Sequence, residues 1–331
     1  MENFARDSNS SMLNTAVLFI VFNRPETTKR VWEAIECARP SRLYIAADGP
    51  RTPEEDTRCQ ETRKITESIH WNCEVKRLYQ DQNLGCGRGP STAISWFFEH
   101  EEEGIILEDD CLPAASFFPF CTELLARYRH DARIMQIGGN NMEEVDDRDT
   151  AYSYRFSSLI YIWGWATWRR AWKLHDFHMH HYTEVNKKGY LVPSYKSIFE
   201  RDLYQYVFGK MFKGDHVTSS QTIWDYQWQF ACKINSGLII VPNRNLVVNL
   251  GFGENASNTH DPTAIGYDLK MESMYFPLKH PEFLMVDQTR EDRVFRKVCT
   301  SRISRLKSVV KNAIPKPLFD ALVRPLITVF S

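Results

Sequence analysis

Gly104-Ile105-Ile106-Leu107-Glu108-Asp109-Asp110 decides how the rest of this chain is read. Gly104 to Leu107 reads as a buried strand, and it delivers three consecutive carboxylates at its end. Burying three acids without partners costs several kcal/mol, so the triplet is expected to meet positive charge. Hard divalent cations such as Mg²⁺ and Mn²⁺ take oxygen ligands, usually one or two carboxylates completed by substrate phosphates. Acidic turns after strands are also common, so the triplet acquires meaning only from its surroundings.

Upstream, Ala16 to Phe22 is a continuous apolar run, as expected of a strand covered on both faces of a parallel sheet. Asn23-Arg24-Pro25 ends it. A helical pattern follows, with Val31, Ile35 and Ala38 on one face, and Pro40 stops it. Leu43 to Ala47 is a second strand, closed by Asp48-Gly49-Pro50. A helix from about Glu54 to Ile69 leads to a third strand, Glu74 to Tyr79. Next come the glycine-rich turn Asn83 to Pro90, a helix around Ser91 to Glu99, and the acid-bearing strand. This alternation predicts an α/β fold with a mostly parallel central sheet, Rossmann-like, and helices on both faces. Ligands of such sheets bind at the carboxyl ends of the strands. Asn23-Arg24, Asp48-Gly49 and Glu108-Asp109-Asp110 all fall there, which assigns them to one site.

Downstream, the pattern predicts a helix over Ser116 to Arg129, capped by Ser116, and a strand over Arg133 to Ile137 followed by Gly138-Gly139-Asn140-Asn141. Met142 to Thr150 reads as an acidic loop and His175 to Gly214 as an irregular polar stretch. Thr222 to Asn235 reads as a helix, and Leu238 to Val241 and Asn245 to Leu250 as strands.

The chain has 331 residues, of which 43% are hydrophobic and 13% aromatic, enough for a substantial core. Its formal net charge of −1 argues against a dedicated nucleic-acid binder. Eight cysteines, at 37, 59, 73, 86, 111, 121, 232 and 299, form no C-x-x-C pair. With a polar start, Met1 to Asn14, and no run of the roughly 20 apolar residues that span a bilayer, they read as reduced thiols of a cytoplasmic protein. The expected organisation is a disordered 1–14, a catalytic domain over 15–265, an extension over 266–300 and a basic amphipathic tail over 301–331. In the tail, Ile303, Leu306, Val309, Val310 and Ile314 recur at helical spacing among six basic residues and one acid. Such a segment either docks on an anionic inner-membrane face or packs on its own domain or a dimer partner.

Several residues carry two readings each. Asp48 is a turn aspartate, since Asp-Gly is a common turn pair, or an acceptor for a uracil imide. Arg24 is a surface arginine or a contact to a base or phosphate. Arg88 lies in a glycine-rich segment that lacks both the P-loop lysine and the G-x-G-x-x-G spacing; it serves a phosphate or an ordinary turn. Trp168 and Trp172, four apart, read as core. In Trp163-Gly164-Trp165 the glycine lets two indoles project as a platform for a sugar or acceptor. Asp225, in Thr222-Ile223-Trp224-Asp225-Tyr226, is a helix-end acid favoured by the dipole or a general base with a raised pKa. His175, His178, His180 and His181 lack a clean zinc frame and read as polar surface. The loop carrying Glu254 and His260 reads as one that closes over a ligand, with His260 as a further metal ligand.

Taken together, Phe22-Asn23-Arg24-Pro25, Ala47-Asp48-Gly49, Leu107-Glu108-Asp109-Asp110, Ser116-Phe117-Phe118, Trp163-Gly164-Trp165 and Ile223-Trp224-Asp225 resemble the GT-A fold glycosyltransferases. The resemblance is to bacterial nucleotide-diphospho-sugar transferases related to N-acetylglucosaminyltransferase I, over residues 15 to 260. The expected donor contacts are Asn23, Arg24, Asp48, Arg88, Glu108, Asp109, Trp163 and Trp165; of these, the resemblance implies Arg24 and Asp48 on the uridine and Asp109 on the ribose. It further implies Mn²⁺ or Mg²⁺ on Asp110, and inverting transfer to a glycan or lipid-linked acceptor with Asp225 as base. The eukaryotic enzyme has two adjacent aspartates after the tryptophan and uses the second; here the second position is Tyr226, which leaves Glu254 as the reserve base. Two rivals stand beside it. A sugar-1-phosphate nucleotidyltransferase requires a Gly-rich loop with Arg and Lys after the first strand, which Asn23-Arg24-Pro25-Glu26 does not supply. A non-catalytic carbohydrate- or nucleotide-binding protein requires only the fold.

Overall fold

A computed structural model describes residues 12–143, 151–213, 223–251 and 269–297. Glu254, His260, most of the Met142 to Thr150 loop and the 301–331 tail lie outside the described residues.

The apolar run becomes β1 (Val17–Val21), in the middle of an eight-stranded sheet. It pairs in parallel with β2 (Arg42–Ala47) on one side and β4 (Glu103–Glu108) on the other, so that Phe19 lies beside both Ile45 and Leu107. Side chains alternate across a strand. Accordingly Val17, Phe19 and Val21 enter one core with Val31, Trp32 and Ile35 of α1 (Pro25–Ala38), while Leu18 enters a second core with Ile94 and Phe97 of α3 (Gly85–His100). Burial on both faces is why the run is continuously apolar. β3 (Glu74–Tyr79) closes this edge, preceded by α2 (Pro53–Ile65).

The second half departs from the expected parallel pattern. After β5 (Cys111–Pro113), α4 (Phe117–Tyr128), β6 (Ile134–Gly138) and β7 (Tyr154–Ser157), the aromatic section forms β8 (Trp165–Trp168), which runs antiparallel between β4 and β6. The full order is β3-β2-β1-β4-β8-β6-β9-β7, where β9 (Leu238–Pro242) is parallel to β6 and antiparallel to β7. The sheet is therefore mixed: six of its eight strands run one way, and β7 and β8 run against them. An antiparallel neighbour needs only a chain reversal and no helical crossover, which is how four residues fit between two longer strands. Helices do cover both faces, as expected.

Three local expectations also change. The glycine-rich turn is the first part of α3, which starts at Gly85 instead of Ser91. Ser116 makes no side-chain cap; its hydroxyl accepts the Met274 amide at 2.9 Å. α5 (Arg169–Trp172) precedes the stretch from His175, which itself contains α6 (Tyr182–Lys188) and α7 (Ile198–Phe212). The start of α7 has a sequence signal, Ser197-x-x-Glu200, and Ser197 Oγ accepts the Glu200 amide at 3.1 Å.

α8 (Asp225–Ile234) leads into β9, and β10 (Val247–Asn249) pairs antiparallel with β5. Met274 and Leu278 of the extension enter the first core. Residues 288–297 are helical, and Glu291 there accepts the Ser158 amide at 2.7 Å and pairs with Lys196. No described helix is long and apolar enough to cross a membrane.

Candidate functional site

β4 carries its acids to the carboxyl edge between the ends of β1 and β8. There the Phe22 amide donates to Asp109 Oδ2 at 3.1 Å. Arg24 Nη1 lies 3.3 Å from Asp109 Oδ1 and 2.6 Å from Asp110 Oδ2. The guanidinium expected on a base thus rests on the acids. Proline at the first helical position pins α1 just after Arg24, so the side chain is delivered from a fixed backbone.

Three carboxylates share this one guanidinium. Burial, reinforced by Asp110 and Asp109, pushes Glu108 up to about 8, with Asp225 adding a smaller repulsion. Burial also raises Asp109, against the opposing pull of Arg24. The backbone carbonyl of Asp110 accepts the Leu250 amide at 2.6 Å, and a Cβ on Gly251 would come within 2.7 Å of Asp110 Oδ2. The end of β10 therefore lies directly against the third acid, and a side chain at Gly251 would displace the Asp110 carboxylate.

Asp48 is occupied by the fold itself. Oδ1 accepts the amides of Gly49 (2.9 Å) and Leu84 (2.8 Å); Oδ2 accepts the Gly85 amide and Asn83 Nδ2, each at 3.0 Å. Four donors fill the lone-pair sites of one carboxylate. Burial raises its pKa and the amide bonds oppose the rise. Asp48 thereby caps α3 from a different strand end, and this cap lets a glycine-rich segment begin a helix. Asn23 Nδ2 donates to Glu55 Oε1 at 3.0 Å. Arg88 is exposed, its guanidinium 5.9 Å from the Phe177 ring centroid.

The tryptophans divide differently from expectation. Trp165 does not project from a loop. It is fully buried in β8, stacked on Trp224 at 5.6 Å between centroids. Trp163 is partly buried against the first core. Gly164 has φ +60°, and its added Cβ would come within 2.8 Å of Val247, so close packing rather than ring projection requires the glycine. Trp168 and Trp172 are core, as read. The Trp165–Trp224 stack brings the start of α8 to the acids' edge. There Asp225 is half-buried in the first turn, accepts the Tyr226 amide at 2.9 Å, and is felt by Glu108.

The site thus gathers Arg24, Glu108, Asp109, Asp110 and Asp225, with Asp48 and Asn23 on neighbouring strand ends. Among the described residues no three His, Cys, Asp or Glu side chains converge as a metal centre. The acid excess still fits one divalent cation held by a carboxylate and completed by phosphate oxygens. His178, His180 and His181 are exposed, consistent with polar surface. His175 is not: it stacks on Trp172 at 4.1 Å and 8°, and burial pushes its pKa down to about 4. Asn140 and Asn141, assigned no role from the sequence, are buried at the same edge. Their signal was a Gly-Gly-Asn-Asn run directly after a strand.

No family model matches the chain, and no curated protein matches it. Among solved structures it is similar to a 1–349 form of S. aureus TarS, with 8% identity and a TM-score of 0.41, over 93% of this chain and 77% of that one. The match to a longer S. aureus TarS structure has 12% identity and a TM-score of 0.33, over 50% of this chain and 30% of that one. A UDP-glucose pyrophosphorylase complexed with UDP-glucose matches with 16% identity and a TM-score of 0.24, over 44% and 63% of the two chains. The longer TarS chain is thus spanned over only about a third of its length. Likenesses this distant leave the α/β description resting on the chain's own strand pairing.

Proposed function

We propose that the chain is a metal-dependent, inverting glycosyltransferase. It moves a sugar from a nucleotide-diphosphate donor, UDP-GlcNAc-like, to a hydroxyl of a glycan or lipid-linked acceptor in surface polysaccharide synthesis. One observation carries this reading: three acids at the carboxyl end of β4 face a single guanidinium, with a fourth acid, Asp225, at the start of α8 nearby. That charge excess suits a cation with a diphosphate.

In this reading Asp110, with donor phosphate oxygens, would hold Mn²⁺ or Mg²⁺, and the bound cation would supply positive charge opposite the leaving diphosphate. Asp109 and Asn23 bind the nucleoside side, and Asp48 shapes it by holding the start of α3. Arg24 holds Asp109 and Asp110 in place. Asp225 takes the proton of the acceptor hydroxyl as that oxygen bonds to the anomeric carbon. The bond from that carbon to the diphosphate breaks on the opposite face, which inverts the centre. Glu254 is the reserve base and His260 a further metal ligand. The chain acts in the cytoplasm, and its basic tail draws it to an anionic membrane.

The test is a panel of nucleotide sugars, with and without Mn²⁺, scored for released nucleoside diphosphate against Asp110→Ala. Hydrolysis of one donor that needs both metal and Asp110 supports the reading. Silence there, together with no metal-dependent binding of UDP or GDP by calorimetry, favours a non-catalytic binding protein.

A further inference from the structure

Beside the acids lies a group of buried polar atoms that the protein does not satisfy. Both amide atoms of Asn140, Nδ2 of Asn141 and Nε1 of Trp165 are buried without a hydrogen-bond partner. Asn140 and Trp165 are fully sequestered and Asn141 nearly so. Buried polar groups are almost always paired, and each orphan costs free energy comparable to a lost hydrogen bond.

Strand register places two of these side chains with the acids. Gly138 of β6 lies opposite Trp165 of β8, which lies opposite Ile106 of β4. Directly opposed residues share a face. Two residues on from Ile106 is Glu108, and two on from Gly138 is Asn140. The strand ends at Gly138 and the chain bends at Gly139, whose amide donates to Gly164 at 2.7 Å and whose carbonyl accepts the Leu246 amide at 3.0 Å. Glu108 and Trp165 therefore share one face at the carboxyl edge, where Asn140 follows the end of β6. It is the face covered by the start of α8, where Trp224 stacks on Trp165.

The orphan set is rich in N–H donors and has one acceptor, the Asn140 carbonyl. Asp225, at the start of α8 on the same edge, would repel an anion. A neutral, oxygen-rich group is the complement. Resting on the glycosyltransferase reading, we propose that Asn140, assisted by the indole N–H of Trp165, hydrogen-bonds the hydroxyl or amide substituents of the transferred sugar and discriminates among donor sugars.

Asn140→Leu preserves shape and removes both orphan atoms. Calorimetry with Mn²⁺ would compare UDP, UDP-GlcNAc and UDP-glucose on the wild-type chain and the variant. The expected result is that UDP affinity stays within about twofold, whereas the preferred UDP-sugar weakens at least about fivefold, the effect of about one hydrogen bond. The preference between the two sugars narrows. The melting temperature holds or rises, because an unpaired amide has been replaced by an apolar group. Equal weakening of all three ligands, or none, overturns the proposal. So does a fall in melting temperature with unchanged sugar preference, the mark of a purely structural amide. If Asn140→Leu fails to fold, Trp165→Phe decides on the ligand affinities alone, since a smaller ring in the core lowers the melting temperature by itself. If the wild-type chain binds none of the three, the transferase reading itself falls and this contact with it; binding of UDP with an unaltered sugar preference sinks only the contact.

Discussion

Arg24 Nη1 sits 2.6 Å from Asp110 Oδ2, joining the start of the first helix to the last acid of the triplet 86 residues away. The same nitrogen reaches Asp109, so one side chain holds two of three crowded carboxylates. Arg24→Gln leaves Asp109 buried and without its cation. Removing one partner of a buried pair costs about 3–5 kcal/mol, and the partial exposure of Arg24 puts the expected loss at the low end, about 3 kcal/mol. Adding Asp110→Asn to that variant should recover part of the loss, because a repelling charge goes with it. Urea denaturation of the two single variants and the double one measures this; a loss under about 1 kcal/mol means the pair is incidental.

Asp48 makes a different prediction because its partners are the backbone of another element. Asp48→Ala removes four accepted hydrogen bonds and uncaps α3. A lost cap alone costs about 0.5–2 kcal/mol, and unsatisfied neighbouring amides add to it, so about 2 kcal/mol or more is expected without any ligand. Thermal unfolding of the ligand-free chain reads this out. An unchanged melting temperature, with nucleotide binding lost, would mean that Asp48 serves the ligand and not the helix.

Asp225→Asn should separate chemistry from stability. The carboxylate is half-buried at a helix start and is repelled by Glu108, so neutralising it leaves stability nearly unchanged. The rate with acceptor should fall about 10²–10⁴-fold, as expected for loss of a general base, while donor affinity holds. A variant with near-normal turnover would move the role to Glu254.

His175 sets a pH dependence. Burial beside Trp172 lowers its pKa to about 4, below the roughly 6.5 of an unfolded-chain histidine. Between those values the unfolded chain binds the extra proton, so this contribution to stability is complete above about pH 6.5 and is lost progressively down to about pH 4. Melting temperature measured across that window should fall less steeply for His175→Phe than for the wild-type chain. Parallel curves would show that the imidazole is not held neutral.

The order of elements through the first four sheet strands was legible because its signals are local. Continuous apolar runs, Pro25, Pro40 and Asp48-Gly49 act within a few residues, and they place the acids at a strand end whatever the rest of the chain does. The Ser197-x-x-Glu200 cap of α7 was equally local and was passed over in a stretch that looked merely polar. What only the tertiary structure decided depends on partners far away in sequence. β8 runs antiparallel because β4 and β6 leave a gap there, and burial in that gap turned Trp165 from a projected ring into core. Asp48 became a cap because the start of α3 lies against it, and Arg24 was drawn to the acids because β1 and β4 are neighbours. The sequence by itself determined which groups reach the carboxyl edge. Only the folded sheet decided which of them face one another, because pairing across strands is set by long-range register that no local pattern encodes.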